Sequence, residues 1–412
     1  SIGGWMKKKK IIAFLLAFLF IFSPIKTFAD DTVAKEGDNI VGADKFVKAY
    51  LIGNQESGDI FYQKNADQTY PIASMSKLMT FLLARDAIES GKISFDTKVK
   101  GTKEAEDLTG PEYSAMGIKE GEQYTIKELL TGLMVVSGND CANLLASTIS
   151  GSEANFANEM NKKAQELNLK SQKYYNASGI NTEDDKQNSS SAKDLFELTR
   201  IILSKYPDVL EYSKINGIDD DKKDIHKKST IPLRDEIKGV DGLKTGTTEE
   251  AGHCLTTTID MNKFDPKNEY RAIGIVMGAE ENEFRNSAMT DLIYYVSRYF
   301  NYKKLTDKDL PSDSIKVNSV KEGYVELYPE KTVGFIIKDK AMPSVKIKIN
   351  KDIKAPIKKN EKLGKAYINY KDKSYEVNLI SKKDQQEASN FTRIKRTVSD
   401  ACNFLVECII AR

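Results

Sequence analysis

The stretch Tyr70-Pro-Ile-Ala-Ser-Met-Ser-Lys-Leu-Met-Thr80 lies where an irregular segment gives way to an amphipathic helix. Pro71 ends the preceding extended run, and apolar residues then recur at helical spacing, at Leu78, Met79, Leu82 and Leu83. Because positions three apart share one face of a helix, the sequence predicts that Ser74 and Lys77 touch. Ser74 is expected in the first turn, near the positive end of the helix dipole.

This pairing of a serine with a lysine suits nucleophilic catalysis. A serine hydroxyl attacks well only when an adjacent base takes its proton. A lysine amine can be that base if burial and nearby positive charge lower its pKa. Backbone N–H groups at the same helix end can also hold a developing oxyanion. A lone Ser-x-x-Lys is common in chains of this length, so the interpretation depends on motifs further along the sequence.

A second motif, Ser137-Gly-Asn139, separates two apolar helices. The first of these helices begins at a capping box, Thr125-Ile-Lys-Glu128. The second is expected to begin with Asp140 as its N-cap. A three-residue break between two buried helices would expose the Ser137 hydroxyl and the Asn139 amide on a loop that the helices hold rigidly. Such supported loops are favoured places for catalytic groups.

A third motif lies in Gly239-Val-Asp-Gly-Leu-Lys-Thr-Gly-Thr-Thr248, a predicted strand bounded by glycines. Residues 254–260 and 270–278 are also rich in β-formers, and they predict a meander beside this strand. Lys244 and Thr245 offer a cation and a hydroxyl together on the strand edge, and Gly246 allows a ligand backbone to come close. A substrate carboxylate next to an extended peptide would fit there.

The three motifs in this order resemble those of the penicillin-recognising serine enzymes. The likeness extends to Gly132-Leu-Met-Val-Val-Ser-Gly-Asn-Asp-Cys-Ala-Asn143 and to Asp241-Gly-Leu-Lys-Thr-Gly-Thr-Thr-Glu-Glu-Ala-Gly252. The sequence looks most like the low-molecular-weight penicillin-binding proteins that are D-alanyl-D-alanine carboxypeptidases. The resemblance implies an α+β fold of the β-lactamase/transpeptidase type, in which an antiparallel sheet is flanked by helices and joined to a helical subdomain.

The resemblance also implies catalytic roles. Ser74 would attack the carbonyl between two D-alanines and release the terminal D-alanine. Lys77, neutral when it acts, would be the general base, and Ser137 would relay a proton to the leaving amine. Water would then hydrolyse the acyl-enzyme. No cofactor or metal is implied.

Binding roles follow from the same resemblance. Asn139 would position the substrate amide, while Lys244 and Thr245, beside Gly246, would hold the terminal carboxylate. The backbone N–H groups of Ser74 and Thr247 would form the oxyanion hole. Arg285, in Glu-Phe-Arg-Asn-Ser, resembles a family arginine near the carboxylate site.

Two departures bear on β-lactams. The middle motif is Ser-Gly-Asn, whereas class A β-lactamases carry Ser-Asp-Asn. Between Ser137 and Lys244 the sequence has no Glu-x-x-Leu-Asn to supply their deacylating glutamate. We therefore expect penicillin to inhibit the protein by acylating it, with slow release.

The leading hypothesis is a cell-wall D,D-carboxypeptidase that trims the pentapeptide stems of peptidoglycan. A β-lactamase, or an endopeptidase that cuts cross-links, is the alternative enzyme. A β-lactam sensor or wall-binding module that is acylated without turnover is the non-enzymatic alternative. Sensors normally need a membrane-spanning signalling partner in cis, and the sequence displays none.

The N-terminal 29 residues have the anatomy of a secretory signal peptide. Lys7 to Lys10 form a positive patch, Ile11 to Phe22 are apolar, and Thr27-Phe-Ala29 offers small residues for cleavage. An uncleaved signal anchor is the alternative. Residues 1–5 precede Met6 and look like upstream readthrough or a cloning remnant. The mature protein is expected outside the cytoplasm, at the outer face of the membrane or in the wall.

Composition excludes several other classes. The chain has 62 Lys and Arg against 60 Asp and Glu and no nucleic-acid motif, so no nucleic-acid partner is expected. Four cysteines and two histidines, without Cys-x-x-Cys, predict neither a disulfide framework nor a zinc site. Cys141 and Cys254 lie in apolar stretches and are expected to be buried.

The C-terminal part differs in composition. The catalytic domain is predicted over residues 44–303, and short alternating segments such as Val345-Lys-Ile-Lys-Ile349 predict a small β-domain over residues 304–381. Residues 385–412 can form a basic amphipathic helix. Such a helix can lie on a membrane surface as an anchor. The alternatives are a helix that packs against its own domain and a disordered end.

Overall fold

The computed structural model describes residues 39–182, 184–337 and 342–410, with side chains up to residue 402. The predicted signal peptide, residues 1–29, lies outside the described residues, as do residues 411 and 412 at the end of the predicted tail. The described residues form two compact units, one ending at Phe300 and one beginning at Asn301.

The first unit combines strands and helices. Its strands are β1 Ala49–Asn54, β2 Ile60–Lys64, β3 Thr69–Pro71, β4 Lys98–Lys100, β5 Gln123–Thr125, β6 Ser189–Ser191, β7 Gly217–Asp220, β8 Ile225–Lys228, β9 Val240–Thr248, β10 Gly252–Asp260 and β11 Arg271–Ala279. Its α-helices are α1 Lys77–Glu89, α2 Lys103–Glu106, α3 Ile126–Val135, α4 Asn139–Ser150, α5 Glu153–Glu166, α6 Ala192–Lys205, α7 Val209–Ser213, α8 Met261–Phe264 and α9 Asn282–Tyr299. Three 3₁₀ turns, Asp44–Phe46, Ala73–Ser76 and Asp107–Thr109, complete it.

Five of these strands form one antiparallel sheet in the order β2-β1-β11-β10-β9, so that β9 lies at an edge. Glycines mark where helices pack closely on the two faces of this sheet. A Cβ at Gly274 would meet Met289 of α9, and a Cβ at Gly53 would meet Phe196 of α6. Since Gly53 pairs with Ile273, the neighbour of Gly274, the two helices cover opposite faces.

A helical layer built from α1, α3, α4, α5 and α6 shares one apolar core with the α6 face of the sheet. Helix α1 is central to this core, with Leu78, Phe81 and Leu82 buried. The capping box at Thr125 and Glu128 begins α3 as predicted. The predicted α+β fold, a helix-flanked antiparallel sheet with a helical subdomain, is confirmed.

The second unit is mainly β-structure. Its strands are β12 Asn301–Thr306, β13 Asp313–Lys316, β14 Tyr324–Pro329, β15 Val333–Ile337, β16 Ser344–Ile349, β17 Lys362–Tyr370 and β18 Lys373–Ile380. Five strands form a sheet in the order β13-β14-β18-β17-β16, and β12 pairs with β15. Alternate residues such as Ala366 and Ile368 face a core of their own.

The last element is α10, Asn390–Ile410, which contacts the β-structure of the second unit through polar side chains. Arg396 donates to the carbonyl oxygens of Val320 and Lys321, and Asp400 pairs with Lys316. No helix in the described parts of the chain has both the length and the apolar character needed to cross a membrane.

Two sequence expectations differ from the structure. The apolar periodicity of residues 287–300 predicts a helix over that range only, but α9 begins at Asn282, because residues 282–286 contain a single apolar side chain, Phe284, and so show no period. The glycines that punctuate residues 92–124 predict an irregular segment, yet these residues contain β4, α2 and β5. These elements are three or four residues long, too short for a periodic signal.

Candidate active site

Ser74 lies in the 3₁₀ turn Ala73–Ser76, which runs directly into α1 at Lys77. The predicted position in the first α-helical turn is therefore corrected to the tighter turn just before it. Ala73 has a φ of 46°, a left-handed conformation that non-glycine residues rarely adopt. The Ser76 hydroxyl donates to the Ala73 carbonyl oxygen at 2.7 Å, which stabilises the turn. Ser74 is thus held on a tight, supported corner.

The Lys77 amine lies where the sequence predicted it. Its Nζ is 2.7 Å from Ser74 Oγ, and it donates to Asn139 Oδ1 at 2.6 Å and to the Ser178 carbonyl oxygen at 2.9 Å. The side chain is fully buried. A neutral amine has two N–H donors and one lone pair. With Asn139 and Ser178 taking the two donors, the lone pair faces the Ser74 hydroxyl.

The surroundings of Lys77 favour this neutral form. Burial is the largest cause that holds the pKa of Lys77 well below its ordinary value, and the charge of Lys244 lowers it further. A neutral lysine beside a serine hydroxyl can act as a general base. The arrangement can therefore activate Ser74 for attack.

Ser137 and Asn139 form the corner between α3 and α4, and both side chains are buried. Ser137 has a left-handed φ of 60°, so the corner turns sharply. The Gly138 N–H donates to the Gly132 carbonyl oxygen at 2.9 Å, and the Asn139 N–H donates to the Ser114 carbonyl oxygen at 2.8 Å. These bonds fix the corner, and the Asn139 side chain accepts its hydrogen bond from Lys77 there.

Strand β9 brings the third motif to the same place. Lys244 Nζ donates to Ser137 Oγ at 2.8 Å and to the Thr245 carbonyl oxygen at 2.9 Å. Burial lowers the pKa of Lys244 to about 7, so it exchanges a proton near neutral pH. A group that titrates there can pass a proton to or from the Ser137 hydroxyl.

Gly246 approaches the turn that carries Ser74. A Cβ at this position would lie 2.7 Å from the Ile72 carbonyl oxygen, 3.0 Å from the Met75 nitrogen and 3.1 Å from the Ser74 nitrogen. The sequence reasoning assigned Gly246 to contact with a ligand backbone. In the structure the close contact is with the protein's own backbone, and it seats the edge strand against the Ser74 turn.

Thr247 follows on β9, opposite His253 of β10. Its Oγ1 lies 3.2 Å from His253 Nδ1. Arg285, in the first turn of α9, is buried and donates through Nε to Asn286 Oδ1. Arg285 lies near enough to His253 to lower the pKa of the imidazole, together with burial, which is the larger cause. Arg285 is therefore linked to the other candidates through His253.

The structure thus brings Ser74, Lys77, Ser137, Asn139 and Lys244 into one connected group, with Thr245, Gly246 and Thr247 along its edge. Sequence reasoning missed the Ser178 carbonyl, because a backbone oxygen leaves no side-chain signature.

Asp140 was predicted as an N-cap, and this was wrong. Helix α4 begins at Asn139 with Gly138 as its cap, and the Asp140 carboxylate accepts backbone N–H groups of residues 116–118 instead.

The described parts of the chain contain one group of side chains that could together bind a metal ion, namely Asp219, Asp221 and His226 of the β7–β8 hairpin. All three are exposed, and the His226 ring is paired with Asp219. The group lies outside the connected candidates, and exposed acidic side chains commonly cluster without a metal ion, so we assign it no role.

Comparison with known proteins gives two family matches. The D-alanyl-D-alanine carboxypeptidase family model matches residues 40–281, and the model for the C-terminal domain of penicillin-binding protein 5 matches residues 300–387. Among curated relatives, D-alanyl-D-alanine carboxypeptidase DacF of Bacillus subtilis is 32% identical over 95% of this chain and 99% of its own length. D-alanyl-D-alanine carboxypeptidase DacD of Escherichia coli is 27% identical over 94% and 98%.

Solved structures agree with these matches. A peptidoglycan synthesis regulatory factor (PBP3) of Streptococcus pneumoniae has 27% identity and a TM-score of 0.69, over 83% of this chain and 99% of its own. Penicillin-binding protein D2 of Listeria monocytogenes, solved in cefotaxime-bound and ampicillin-bound forms, has 32% identity and a TM-score of 0.53, over 60% and 96%. The resemblance inferred from the three motifs is confirmed. The chain belongs to the D-alanyl-D-alanine carboxypeptidase family of penicillin-binding proteins, and it is a serine-type hydrolase of that family.

Proposed function

We propose that the protein is an exported D,D-carboxypeptidase that removes the terminal D-alanine from peptidoglycan pentapeptide stems through an acyl-enzyme on Ser74. The observation that carries this proposal is the Lys77 amine, which is fully buried, 2.7 Å from Ser74 Oγ and fixed by two acceptors on its other sides.

In the acylation step, Lys77 takes the Ser74 proton while Oγ attacks the carbonyl carbon between the two D-alanines. The N–H groups of Ser74 and Thr247 stabilise the oxyanion that forms. The C–N bond then breaks, and Ser137 delivers its proton to the leaving amine and takes a replacement proton from Lys244, to which it is hydrogen-bonded. Free D-alanine departs. Water then attacks the Ser74 ester and gives up a proton to Lys244 through Ser137, while Lys77 returns its proton to Ser74 Oγ as the trimmed stem leaves, so all three groups regain their starting protonation.

In substrate binding, the stem lies in an extended conformation along the free edge of β9. Asn139 positions the amide that precedes the scissile bond. The terminal carboxylate is held by the charge of Lys244 and the hydroxyl of Thr245, with Arg285 adding positive charge behind them. Gly246 contributes by letting β9 approach the Ser74 turn.

One assay tests this function. The purified full chain is incubated with a stem peptide ending in D-Ala-D-Ala, and free D-alanine is measured. We expect release from the wild-type protein and none from Ser74→Ala. Covalent labelling by a fluorescent penicillin without any release of D-alanine would instead support the sensor hypothesis.

We also propose that β-lactams inhibit the protein by acylating Ser74. Penicillin-binding protein D2 of Listeria monocytogenes, which matches 60% of this chain, was solved in cefotaxime-bound and in ampicillin-bound forms. The missing Glu-x-x-Leu-Asn leaves no assigned base for rapid deacylation. Rapid hydrolysis of a chromogenic cephalosporin by the pure protein would refute slow release and favour a β-lactamase.

Cleavage of cross-links is a second candidate activity. A D-alanyl-D-alanine endopeptidase of Pseudomonas aeruginosa is 28% identical over 226 residues, covering 52% of this chain and 67% of its own length. A cross-linked muropeptide dimer offered alongside the pentapeptide separates the two activities. Carboxypeptidase function predicts free D-alanine from the pentapeptide, while endopeptidase function predicts monomers from the dimer.

Export and surface attachment complete the proposal. Residues 1–29 would direct secretion, and α10 would attach the mature protein to the outer face of the membrane. The polar side of α10 contacts the β-structure, whereas Phe391, Ile394 and Val398 are 78%, 64% and 56% exposed along one stripe. An exposed apolar stripe on a helix with basic residues is suited to a membrane surface.

A further inference from the structure

Asp140 makes an unusual set of contacts beside the active site. It follows Asn139 directly, and its carboxylate is fully buried. One oxygen accepts the Met116 N–H at 3.0 Å and the Cys141 N–H at 2.9 Å. The other accepts the Gly117 N–H at 2.8 Å and the Ile118 N–H at 2.9 Å. Four backbone donors therefore surround one carboxylate.

Three of the four donors belong to consecutive residues of one segment, which we call the clamped segment, residues 114–118. The same segment supplies the Ser114 carbonyl oxygen, which accepts the Asn139 N–H at 2.8 Å. Asn139 in turn accepts a hydrogen bond from Lys77 Nζ at 2.6 Å. A continuous chain of contacts therefore runs from Asp140 through the clamped segment and Asn139 to the candidate base.

The negative charge of Asp140 also lies close enough to the Lys77 amine to affect its pKa. In the described parts of the chain, Asp140 is the one carboxylate that is fully buried, and Lys77 and Lys244 are fully buried amines. A buried negative charge is unfavourable unless hydrogen bonds or an opposite charge compensate it. Here backbone N–H groups satisfy the hydrogen-bonding capacity of the carboxylate oxygens. Because these donors are neutral, they do not cancel the negative charge, which still acts electrostatically on the neighbouring amines.

We propose that Asp140 is a positioning residue of the carboxypeptidase site, whose carboxylate fixes the clamped segment and through it the side chain of Asn139 and the amine of Lys77. This inference rests on the proposed function of Ser74 and Lys77. Asp140 itself touches neither the substrate nor Ser74.

The groups that face Lys77 give the expected pH effect. Lys244 on β9 lowers the pKa of Lys77, while Asp140 on α4 and Glu153 on α5 raise it. The Cys141 thiol also faces it, and burial raises the thiol pKa so that it stays neutral. Removing the Asp140 charge lowers the pKa of Lys77 further. Because a protonated Lys77 cannot act as the base, the acidic limb of the pH profile of kcat/KM then moves to lower pH.

The test measures D-alanine release from a D-Ala-D-Ala stem peptide as a function of pH, with the full chain. Asp140→Asn keeps the size, removes the charge and presents an amide to backbone donors. Asp140→Glu keeps the charge but displaces the oxygens. The matched control is Asp194→Asn, because Asp194 holds a segment in the same way, through the Ser171 N–H and hydroxyl, away from Lys77.

We expect kcat/KM to fall about tenfold to a hundredfold in both Asp140 variants, as for displaced catalytic groups. The acidic limb should move only in Asp140→Asn, and Asp194→Asn should keep the wild-type profile at a comparable loss in Tm. If Asp140→Asn does not fold, Asp140→Ser removes the charge with a smaller side chain.

A folded Asp140→Asn protein with wild-type kcat/KM and an unmoved limb would overturn the inference. A loss of activity matched by Asp194→Asn at equal Tm would also overturn it, because the role would then be structural only. If the wild-type protein releases no D-alanine, the proposed function fails instead.

Discussion

Gly246 packs against the Ser74 turn so closely that even one methyl group has no room. The atoms that a Cβ would meet belong to backbone, at 2.7 to 3.1 Å, and backbone cannot rotate away as a side chain can. We predict that Gly246→Ala shifts the Ser74 nitrogen out of position. It should lower the free energy of unfolding by about 1–3 kcal/mol, as overpacking does. It should also lower kcat/KM about a hundredfold, as displacement of a reacting group by 1 Å does.

D-alanine release and thermal unfolding measure these two effects. Gly42→Ala is the matched control, because a Cβ there meets Asp291 only at an ordinary 3.6 Å and the backbone is not left-handed. Gly42→Ala should retain both stability and activity. Full activity in Gly246→Ala would show that β9 can retreat without disturbing Ser74.

The pKa values of the two histidines are predicted to shift in opposite directions from the ordinary value of an imidazole. Burial, with the Arg285 charge, holds the pKa of His253 below its ordinary value. The hydrogen bond to Asp219 raises the pKa of exposed His226. In the folded protein His253 should therefore lose its proton at lower pH than His226. NMR titration of histidine-labelled protein measures both values.

Variants at these positions check the assignment. Asp219→Asn should lower the pKa of His226 and leave that of His253 unchanged. His226→Gln identifies which resonance is which. A His253 resonance that titrates at or above that of His226 would contradict the burial of its ring beside Arg285.

Among the elements, the segment of residues 176–180 shapes the site without offering a catalytic side chain. The Asn176 side chain accepts the Ser178 and Gly179 N–H groups and donates to the Ile180 carbonyl oxygen. This bonding turns the Ser178 carbonyl toward Lys77 Nζ. We predict that Asn176→Ala lowers the free energy of unfolding by about 1–3 kcal/mol, the effect of leaving buried polar groups unsatisfied.

The same variant should lower kcat/KM, because the lone pair of Lys77 is no longer directed at Ser74. Chemical denaturation and D-alanine release report the two effects. Asn155→Ala is the comparison, because Asn155 is exposed and its side chain donates to the Ser150 carbonyl oxygen, while its backbone N–H keeps its bond to the Ser152 cap in the variant. Unchanged kcat/KM in Asn176→Ala would mean that the Ser178 carbonyl does not direct the amine.

The elements that sequence reasoning predicted are those with strong local patterns. The apolar spacing of α1 and the capping box of α3 appear within a few residues, and the contact of Ser74 with Lys77 follows from three-residue spacing. Three of the four partners of Asp140 are backbone groups more than twenty residues away, and no residue type encodes them. The approach of Gly246 to the Ser74 turn is likewise a product of tertiary packing.

At the scale of the whole molecule, the two units carry net charges of opposite sign, although the full chain is nearly neutral. Residues 39–300 carry 32 Lys and Arg against 41 Asp and Glu, a net charge of −9. Residues 301–412 carry 24 against 15, a net charge of +9. An anionic surface therefore attracts the second unit and repels the first. The composition of the full chain, at +2, gave no sign of this division.

This division and the exposed stripe of α10 together lead to a prediction for membrane binding. Vesicles that contain anionic lipid should bind the full chain, and the triple variant Phe391→Ser, Ile394→Ser, Val398→Ser should lose most of this binding. Each side chain would bury apolar area worth about 1.5–3 kcal/mol at full burial, so three of them dominate the free energy of attachment. Added salt should weaken the remaining binding, because screening removes the attraction between the basic unit and the lipid.

Co-sedimentation with vesicles of neutral and of anionic lipid measures both contributions. Leu310→Ser is the matched control, since Leu310 is an exposed apolar residue of the same unit that lies off the helix. It should bind as the wild type does, and all variants should retain D-alanine release in solution, because the altered residues lie outside the catalytic unit. Deletion of residues 385–412 should move the protein from the membrane fraction to the soluble fraction of cells. If the triple variant and the deletion both bind as strongly as the full chain, α10 is not the attachment element, and the apolar stripe must serve another contact.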